Sequence, residues 1–249
     1  MTRRIAVLDN NPADAPFTRR FPNDGEKVVA GLAAERPAWS YRVFAAKHGE
    51  VPAGPDDFDG CVLTGSVASV NDDEPWIRRV EAFVREAHAR RRPLAGLCFG
   101  HQMIAQALGG RVGPSPGGWR IGTATTRFEA AEPWMQPFQR EVTLFAAHEE
   151  QVLEPPPGAR VLGGDAWAPH GSFAVGRHVF TTQYHPELSR EFMQDVLDHF
   201  GEEFPPQAVA RGRAQLEHEP VHAALFMRWL AQFLEGAGTA PASPSGAPR

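Results

Sequence analysis

Short apolar runs alternate with amphipathic stretches in the first 110 residues. Four runs predict buried strands, at residues 5–8, 41–44, 61–64 and 94–97. Apolar positions at helical spacing predict helices between them, at residues 25–35, 75–92 and 101–108, with stops at prolines or glycines. This βαβ order predicts a mostly parallel sheet with helices on both faces, a flavodoxin-like three-layer α/β fold.

The middle of the chain has a different pattern, typical of an antiparallel sheet. Short strands are predicted at residues 121–128, 142–145, 160–162, 172–175 and 178–183. Gly176-Arg177 lies at the turn of the last pair, which indicates a hairpin. Two further helices are predicted at residues 188–200 and 220–234. We therefore expect a small antiparallel portion beside the parallel sheet.

These elements predict one α/β domain over residues 1–200. Residues 201–235 are expected to form a C-terminal helical extension that packs on this domain. The segment 236–249 consists largely of Gly, Ala, Pro and Ser, and such a composition predicts a disordered tail.

Composition narrows the class of protein. The chain has 249 residues and a net charge of −5, which does not favour a nucleic-acid or anionic-membrane binder. It contains neither a membrane-length apolar run nor a secretory leader, and two cysteines make no disulfide framework, so a cytoplasmic setting is expected. The basic run Arg90-Arg91-Arg92 favours a solvated last helical turn, with an anion site as the alternative.

The strongest local motif is Gly96-Leu97-Cys98-Phe99-Gly100, between a predicted strand and a predicted helix. A sharp turn there exposes its central residue, and flanking glycines give the necessary clearance. The helix N-terminus favours a thiolate, so Cys98 is a candidate nucleophile. The alternative is a core cysteine beside packing glycines. Cys61, in a predicted buried strand, is interpreted as an inert apolar residue.

A second motif, Gln183-Tyr184-His185-Pro186-Glu187, follows the last predicted strand. Residues two apart in an extended segment lie on the same side, so Glu187 can orient the His185 imidazole toward a thiol. Alone, such a motif is more often a surface turn. Gly65 follows a third strand, and its amide together with that of Phe99 could form an oxyanion hole.

The two motifs together resemble the class I (triad) glutamine amidotransferases over roughly residues 1–200. The resemblance implies a Cys98–His185–Glu187 triad, an oxyanion hole at Gly65 and Phe99, and a thioester formed from a γ-glutamyl amide. It also implies contacts between the substrate and three polar side chains, those of Gln102, Ser69 and Ser66.

Three segments depart from the common family pattern. Ser66-Val67 replaces Gly-Pro after Gly65, Glu150 replaces the usual aspartate of a His-x-Asp-x-Val loop, and Arg120 replaces a common glutamate. Arg120 could meet a substrate carboxylate, although a position on the rim is favoured. These changes leave the γ-glutamyl substrate open.

Three functions are consistent with the sequence. The first is a glutaminase that hydrolyses glutamine and supplies ammonia to a separate acceptor or synthase, since no room remains for a synthase in this chain. The second is a stand-alone γ-glutamyl peptidase or hydrolase. The third is an inactive module that binds a partner. No cofactor or metal is implied, because the histidines lack a ligand spacing.

Overall fold

A computed structural model describes residues 2–12 and 20–237. The strands of the described chain are β1 (Arg4–Asp9), β2 (Ser40–Ala45), β3 (Gly60–Leu63), β4 (Leu94–Leu97), β5 (Arg111–Pro114), β6 (Arg120–Phe128), β7 (Glu141–His148), β8 (Glu150–Glu154), β9 (Ala159–Gly164), β10 (Ser172–Val175) and β11 (Val179–Thr182). The helices are α1 (Asp24–Glu35), α2 (Pro75–Ala89), α3 (Phe99–Ala107), α4 (Arg190–Phe200), α5 (Pro206–His218) and α6 (Ala223–Gly236).

Within the described residues, nine strands form one sheet in the order β2-β1-β3-β4-β11-β10-β9-β6-β7. The strands from β2 to β11 in this order are parallel, and the remaining neighbours are antiparallel. Strands β5 and β8 pair separately as an antiparallel ribbon. The predicted α/β architecture, with a parallel sheet, flanking helices and antiparallel strands, is confirmed.

Strands β1, β3 and β4 are buried on both faces, which explains their continuous apolar sequences, whereas the edge strand β2 is partly exposed. In β1, Ile5 and Val7 belong to the core under α1 and α6, whereas Ala6 and Leu8 belong to the core under α2 and α3. A third apolar cluster lies under α4 and α5 and includes Phe145 of β7. The carboxyl ends of β3, β4 and β11 therefore lie together at one edge of a rigid, covered sheet.

The structure adds three elements that the sequence pattern did not indicate: β5, β8 and α5. Pro205-Pro206 does not prevent a helix here, because Pro206 is the first residue of α5, where proline's missing N–H costs no hydrogen bond. The buried face of α5 is small. A Cβ on Gly122 of β6 would come within 2.8 Å of the Gly212 Cα, so glycine permits this close packing.

Helix α6 extends to Gly236, and the rest of the predicted disordered tail, 238–249, lies outside the described residues. No helix in the described part of the chain combines the length and the apolar character that crossing a bilayer requires.

Candidate active site

Cys98 occupies a strained turn between β4 and α3. Its φ of 49° and ψ of −104° lie outside the regions that residues with a side chain usually adopt. A Cβ on Gly96 would lie 2.5 Å from the carbonyl carbon of Gly100, and one on Gly100 would collide with the Leu63 carbonyl. Both glycines of the motif are therefore required for the chain to turn this sharply.

The turn is fixed to the neighbouring parallel strands. The Cys98 N–H donates to the Thr182 carbonyl of β11 at 2.9 Å, and the Gly100 N–H donates to the Thr64 carbonyl after β3 at 3.1 Å. The sulfur lies at the N-terminus of α3, where the helix dipole favours negative charge. Cys98 is only 4% exposed, so a substrate that reaches it is largely removed from water.

His185 and Glu187 form the pair that their spacing predicts. The two side chains meet with 2.7 Å between His185 Nδ1 and Glu187 Oε1, and the Glu187 side chain is fully buried. Strand β7 holds the backbone, since the His185 N–H donates to the Phe145 carbonyl at 2.9 Å. The Glu187 carboxylate and the backbone of β7 together fix the position of the imidazole.

The charge state of His185 depends on its two neighbours. Burial alone would lower the pKa of His185, but the Glu187 carboxylate and the Cys98 sulfur together raise this pKa well above its ordinary value. Nε2 of His185 makes no hydrogen bond of ordinary geometry within the described residues, yet the Cys98 sulfur is close enough to contribute to this shift. The site therefore favours an imidazolium next to a sulfur.

Gly65 lies directly against both Cys98 and His185. A Cβ on Gly65 would lie 2.8 Å from His185 Cε1 and 3.7 Å from the Cys98 Cβ, so the glycine backbone passes directly over both residues. Phe99 is the first residue of α3, and the first N–H groups of a helix have no acceptor within it. The structure thus brings Gly65 and Phe99, the two residues of the predicted oxyanion hole, next to Cys98.

Gln183 contacts the nucleophile, although the sequence argument gave it no role. Its Nε2 donates to the Cys98 sulfur at 3.6 Å, and its Oε1 accepts from Gln102 Nε2 at 3.2 Å. Gln102 Nε2 also donates to the Glu150 carbonyl at 2.8 Å. This arrangement directs the Gln183 NH₂ group toward the sulfur. The period-two spacing of residues 183 and 185 was a signal that both face the same side.

The three side chains predicted to contact substrate are engaged in hydrogen bonds near the site. Ser66 Oγ donates to the Asn10 carbonyl at 2.8 Å, and Ser69 Oγ donates to Glu150 Oε2 at 2.6 Å. Gln102 Nε2 donates to the Glu150 carbonyl, so Glu150 links Gln102 to Ser69. Their contact with a substrate stays a prediction.

Arg120 is not a free arginine on the rim. Its Nη1 lies 2.8 Å from Asp165 Oδ2, and both side chains are 16% exposed.

Two buried histidines near the site are neutral. Burial lowers the pKa of His148 to about 3, and burial also lowers the pKa of His101 to about 3. These imidazoles are therefore neutral at physiological pH. In the described residues, no group of three or more His, Cys, Asp or Glu side chains has an arrangement that could hold a metal.

This strand-to-helix cysteine elbow, on a sheet of this topology, defines a class of cysteine-dependent amide hydrolases. The family model described as "Glutamine amidotransferase class-I" matches residues 39–202. The chain therefore belongs to the class I glutamine amidotransferase family.

Relatives in this family have two kinds of name. Gamma-glutamyl peptidase 2 of Arabidopsis thaliana is 29% identical over 202 residues, which cover 79% of this chain and 80% of the relative. A GMP synthase [glutamine-hydrolyzing] of Pyrobaculum aerophilum is 30% identical over 140 residues, which cover 55% of this chain but only 26% of the synthase.

Solved structures share the fold across nearly the whole chain. A glutamine amidotransferase from Thermotoga maritima has a TM-score of 0.73 and 17% identity, and the match covers 94% of this chain and 99% of that one. A glutamine amido transferase from Methylobacillus flagellatus has a TM-score of 0.74 and 19% identity, with 99% and 100% covered.

Proposed function

We propose that this chain hydrolyses γ-glutamyl amides through a thioester on Cys98. The observation that carries the proposal is the convergence of three chain segments: Cys98 on its elbow, the His185–Glu187 pair beside it, and the Gly65 backbone over both. A nucleophile, a base and an orienting carboxylate in this arrangement meet the geometric requirements for acyl transfer.

In the first half-reaction, the Cys98 proton goes to Nε2 of His185, which gives the imidazolium that the site favours, and the sulfur attacks the γ-carbonyl carbon of the substrate. The carbonyl π electrons move to oxygen, and the amides of Gly65 and Phe99 stabilise the negative charge that forms there. The C–N bond then breaks. The leaving nitrogen takes the proton from His185, and a γ-glutamyl thioester remains.

In the second half-reaction, water attacks the thioester carbonyl carbon as His185 takes a proton from the water. The C–S bond breaks, the sulfur regains a proton from His185, and the product leaves as a γ-carboxylic acid, which releases its proton to solvent. Glu187 holds the imidazole in the required tautomer and stabilises the imidazolium in both halves. Gln183 supports the same cycle, because its NH₂ group favours the negatively charged sulfur.

Peptides with an N-terminal γ-glutamyl group are the substrates that we favour. The peptidase relative matches over 80% of its own length, whereas the synthase relative matches over 26% of its length, so the match spans most of a peptidase but only a small part of a synthase. Hydrolysis of glutamine, with ammonia passed to a separate synthase, is the second candidate, because the matched part of that relative belongs to a glutamine-hydrolysing enzyme.

The test is a substrate panel on purified protein: γ-glutamyl dipeptides, glutathione conjugates, glutamine, and α-glutamyl dipeptides as the matched negative set. Amine release from the γ-linked peptides, with none from α-linked peptides, is the expected result, and Cys98→Ser serves as the control variant. Ammonia from glutamine alone would favour the glutaminase. Absence of turnover, together with no labelling of Cys98 by a diazo-ketone glutamine analogue, would overturn the proposal in favour of a binding module.

A further inference from the structure

A cavity lies at the opposite end of the sheet from Cys98. It has a volume of about 1030 Å³, and its lining comes from the amino ends of the parallel strands, including Arg3 before β1, Asp59 before β3, residues 88–93 before β4 and residues 175–178 before β11. Cys98 follows the carboxyl end of β4. A molecule in this cavity therefore cannot reach the triad, so the cavity is separate from the candidate active site.

The lining is strongly basic in a chain whose net charge is −5. It contains five arginines and two histidines, and among the described residues Asp59 is its single acidic member. Asp59 is already occupied, because its Oδ2 accepts the Arg4 N–H at 2.8 Å. The positive charge of the cavity is thus not balanced from within its own lining.

Three of the five arginines have partners, and two do not. Arg3 donates to the Glu235 carbonyl, Arg90 pairs with Asp56 and Glu86, and Arg92 donates to the Pro55 and Phe58 carbonyls. The guanidinium groups of Arg91 and Arg177 make no hydrogen bond or ion pair with any described residue.

Arg91 is held in the cavity wall by a backbone conformation that arginine disfavours. Its φ is 53°, at the position after α2 where a Schellman turn normally has glycine. The turn is complete: the Arg91 N–H donates to the His88 carbonyl and the Arg92 N–H to the Ala87 carbonyl, each at 2.9 Å. An arginine at a position that favours glycine is a candidate for a functional side chain.

Two imidazoles adjoin these arginines. The structure places His88 Nδ1 3.0 Å from His178 Nε2. Burial lowers the pKa of His88, and the positive charge of Arg91 lowers it further. Burial also lowers the pKa of His178 to about 4, with smaller contributions from His88 and Arg91. A bound anion would offset the effect of the Arg91 charge and raise the pKa of both histidines. A change in these pKa values would therefore report binding.

We propose that this cavity binds a small phosphate-bearing molecule through the guanidinium groups of Arg91 and Arg177. Guanidinium groups bind phosphate oxygens with paired, charge-assisted hydrogen bonds, and the two unpaired groups supply two positive charges for an anion such as a diphosphate. The described lining contains no Phe, Tyr or Trp, so recognition rests on phosphate charge rather than on ring stacking. The volume exceeds what one inorganic ion requires.

The test is calorimetric titration of the full chain with pyrophosphate at constant ionic strength, in wild type and in three variants. Arg91→Gly places the favoured residue at φ 53°, so it removes the guanidinium while its Tm stays equal or rises. Arg177→Ala removes the second group from an exposed turn. Arg127→Ala is the charge-matched control, because Arg127 lies on β6 and pairs with Glu129.

We expect Arg91→Gly and Arg177→Ala each to weaken pyrophosphate binding by about tenfold or more, and Arg127→Ala to leave it unchanged. The His88 and His178 NMR resonances should titrate at higher pH in the presence of pyrophosphate. Equal loss in all three variants, wild-type affinity in Arg91→Gly, or no binding at about 10 mM pyrophosphate would overturn the proposal. Tighter binding of ATP than of tripolyphosphate would identify a nucleotide as the source of the phosphates, and equal binding a simple phosphate chain.

Discussion

Nδ1 of His185 lies 2.7 Å from Oε1 of Glu187, and the two residues are separated in sequence by Pro186 alone. Proline fixes its own φ and keeps the residue before it extended, so both side chains fall on the same side of the segment. The base and its orienting carboxylate are therefore positioned locally. Long-range contacts then hold the His185 backbone against Phe145 of β7 and bring the cysteine elbow to the free side of the imidazole.

The first prediction concerns the nucleophile and the base. Replacement of Cys98 or His185 by alanine should reduce turnover of γ-glutamyl substrates by about five to six orders of magnitude, because neither half-reaction can proceed. The measurement is steady-state kinetics, and circular dichroism shows whether each variant is folded. Near-wild-type activity in either folded variant would contradict the mechanism.

The second thiol provides an internal control for labelling. Burial raises the pKa of Cys61 to about 12, and this residue is fully buried in β3. A thiol-directed electrophile should therefore modify Cys98 and leave Cys61 intact in the native protein at pH 7. Mass spectrometry of peptides identifies the modified site. Preferential labelling of Cys61 would show that the reactive thiol has been wrongly assigned.

Glu187→Gln should lower kcat by about 10²–10⁴-fold and leave measurable activity, because an orienting group is less critical than the nucleophile. The neutral amide no longer raises the pKa of His185, so that pKa should fall toward its ordinary value. NMR titration of the His185 ring measures the shift directly. A loss larger than that of Cys98→Ala would mean that the roles are exchanged.

Gly65→Ala tests how closely the backbone passes over the triad. The added methyl group would lie 2.8 Å from His185 Cε1, and Glu187 prevents the ring from moving away freely. We expect kcat/KM to fall by about 10²-fold with little change in Tm. Gly54→Ala is the matched control, since a Cβ there meets nothing within 4 Å. Equal activity of the two variants would argue against Gly65 as part of the site.

The pH dependence of stability should reflect the buried imidazoles. The pKa of His101 is about 3 in the folded protein, against 6.5 for the unperturbed group. Between these values the unfolded chain binds a proton that the folded chain does not, so stability falls as the pH falls. This residue contributes a slope of about 1.4 kcal/mol per pH unit.

His101→Asn should therefore flatten the decline of the unfolding free energy between pH 6.5 and pH 4 by about that amount per unit. Asparagine can keep the hydrogen bond to Thr181 Oγ1, which His101 Nδ1 makes at 2.8 Å. Denaturant unfolding at several pH values measures the slope. His148 and His178 remain in both proteins, so an unchanged slope would show that His101 is protonated in the folded state.

The residues of the candidate site could be found from sequence where local chemistry determines structure. The elbow at Cys98 follows from an apolar run that must be buried and from two glycines that alone permit the turn. The contact between Gln183 and the sulfur depends on Gln102 and Glu150, which come from α3 and β8. Such a network involves distant segments, so no local pattern encodes it.

Helix α5 was missed for a related reason. Its buried residues, Ala208, Gly212 and Leu216, are too small and too few to produce an amphipathic signal. Gly212 packs against Gly122 of β6, a residue far earlier in the chain. The fit between the small surfaces of α5 and β6 depends on the tertiary structure, so the sequence of either element alone does not indicate it.

The position of α6 has a consequence for how the chain folds during synthesis. Phe226 and Phe233 of this helix pack against Phe180 of β11, with ring centroids 5.4 and 5.6 Å apart. The ribosome must therefore release almost the entire described chain before this face of the parallel strands is covered. Until then the nascent polypeptide exposes the aromatic surface of Phe180, and exposed apolar surface of this kind favours aggregation.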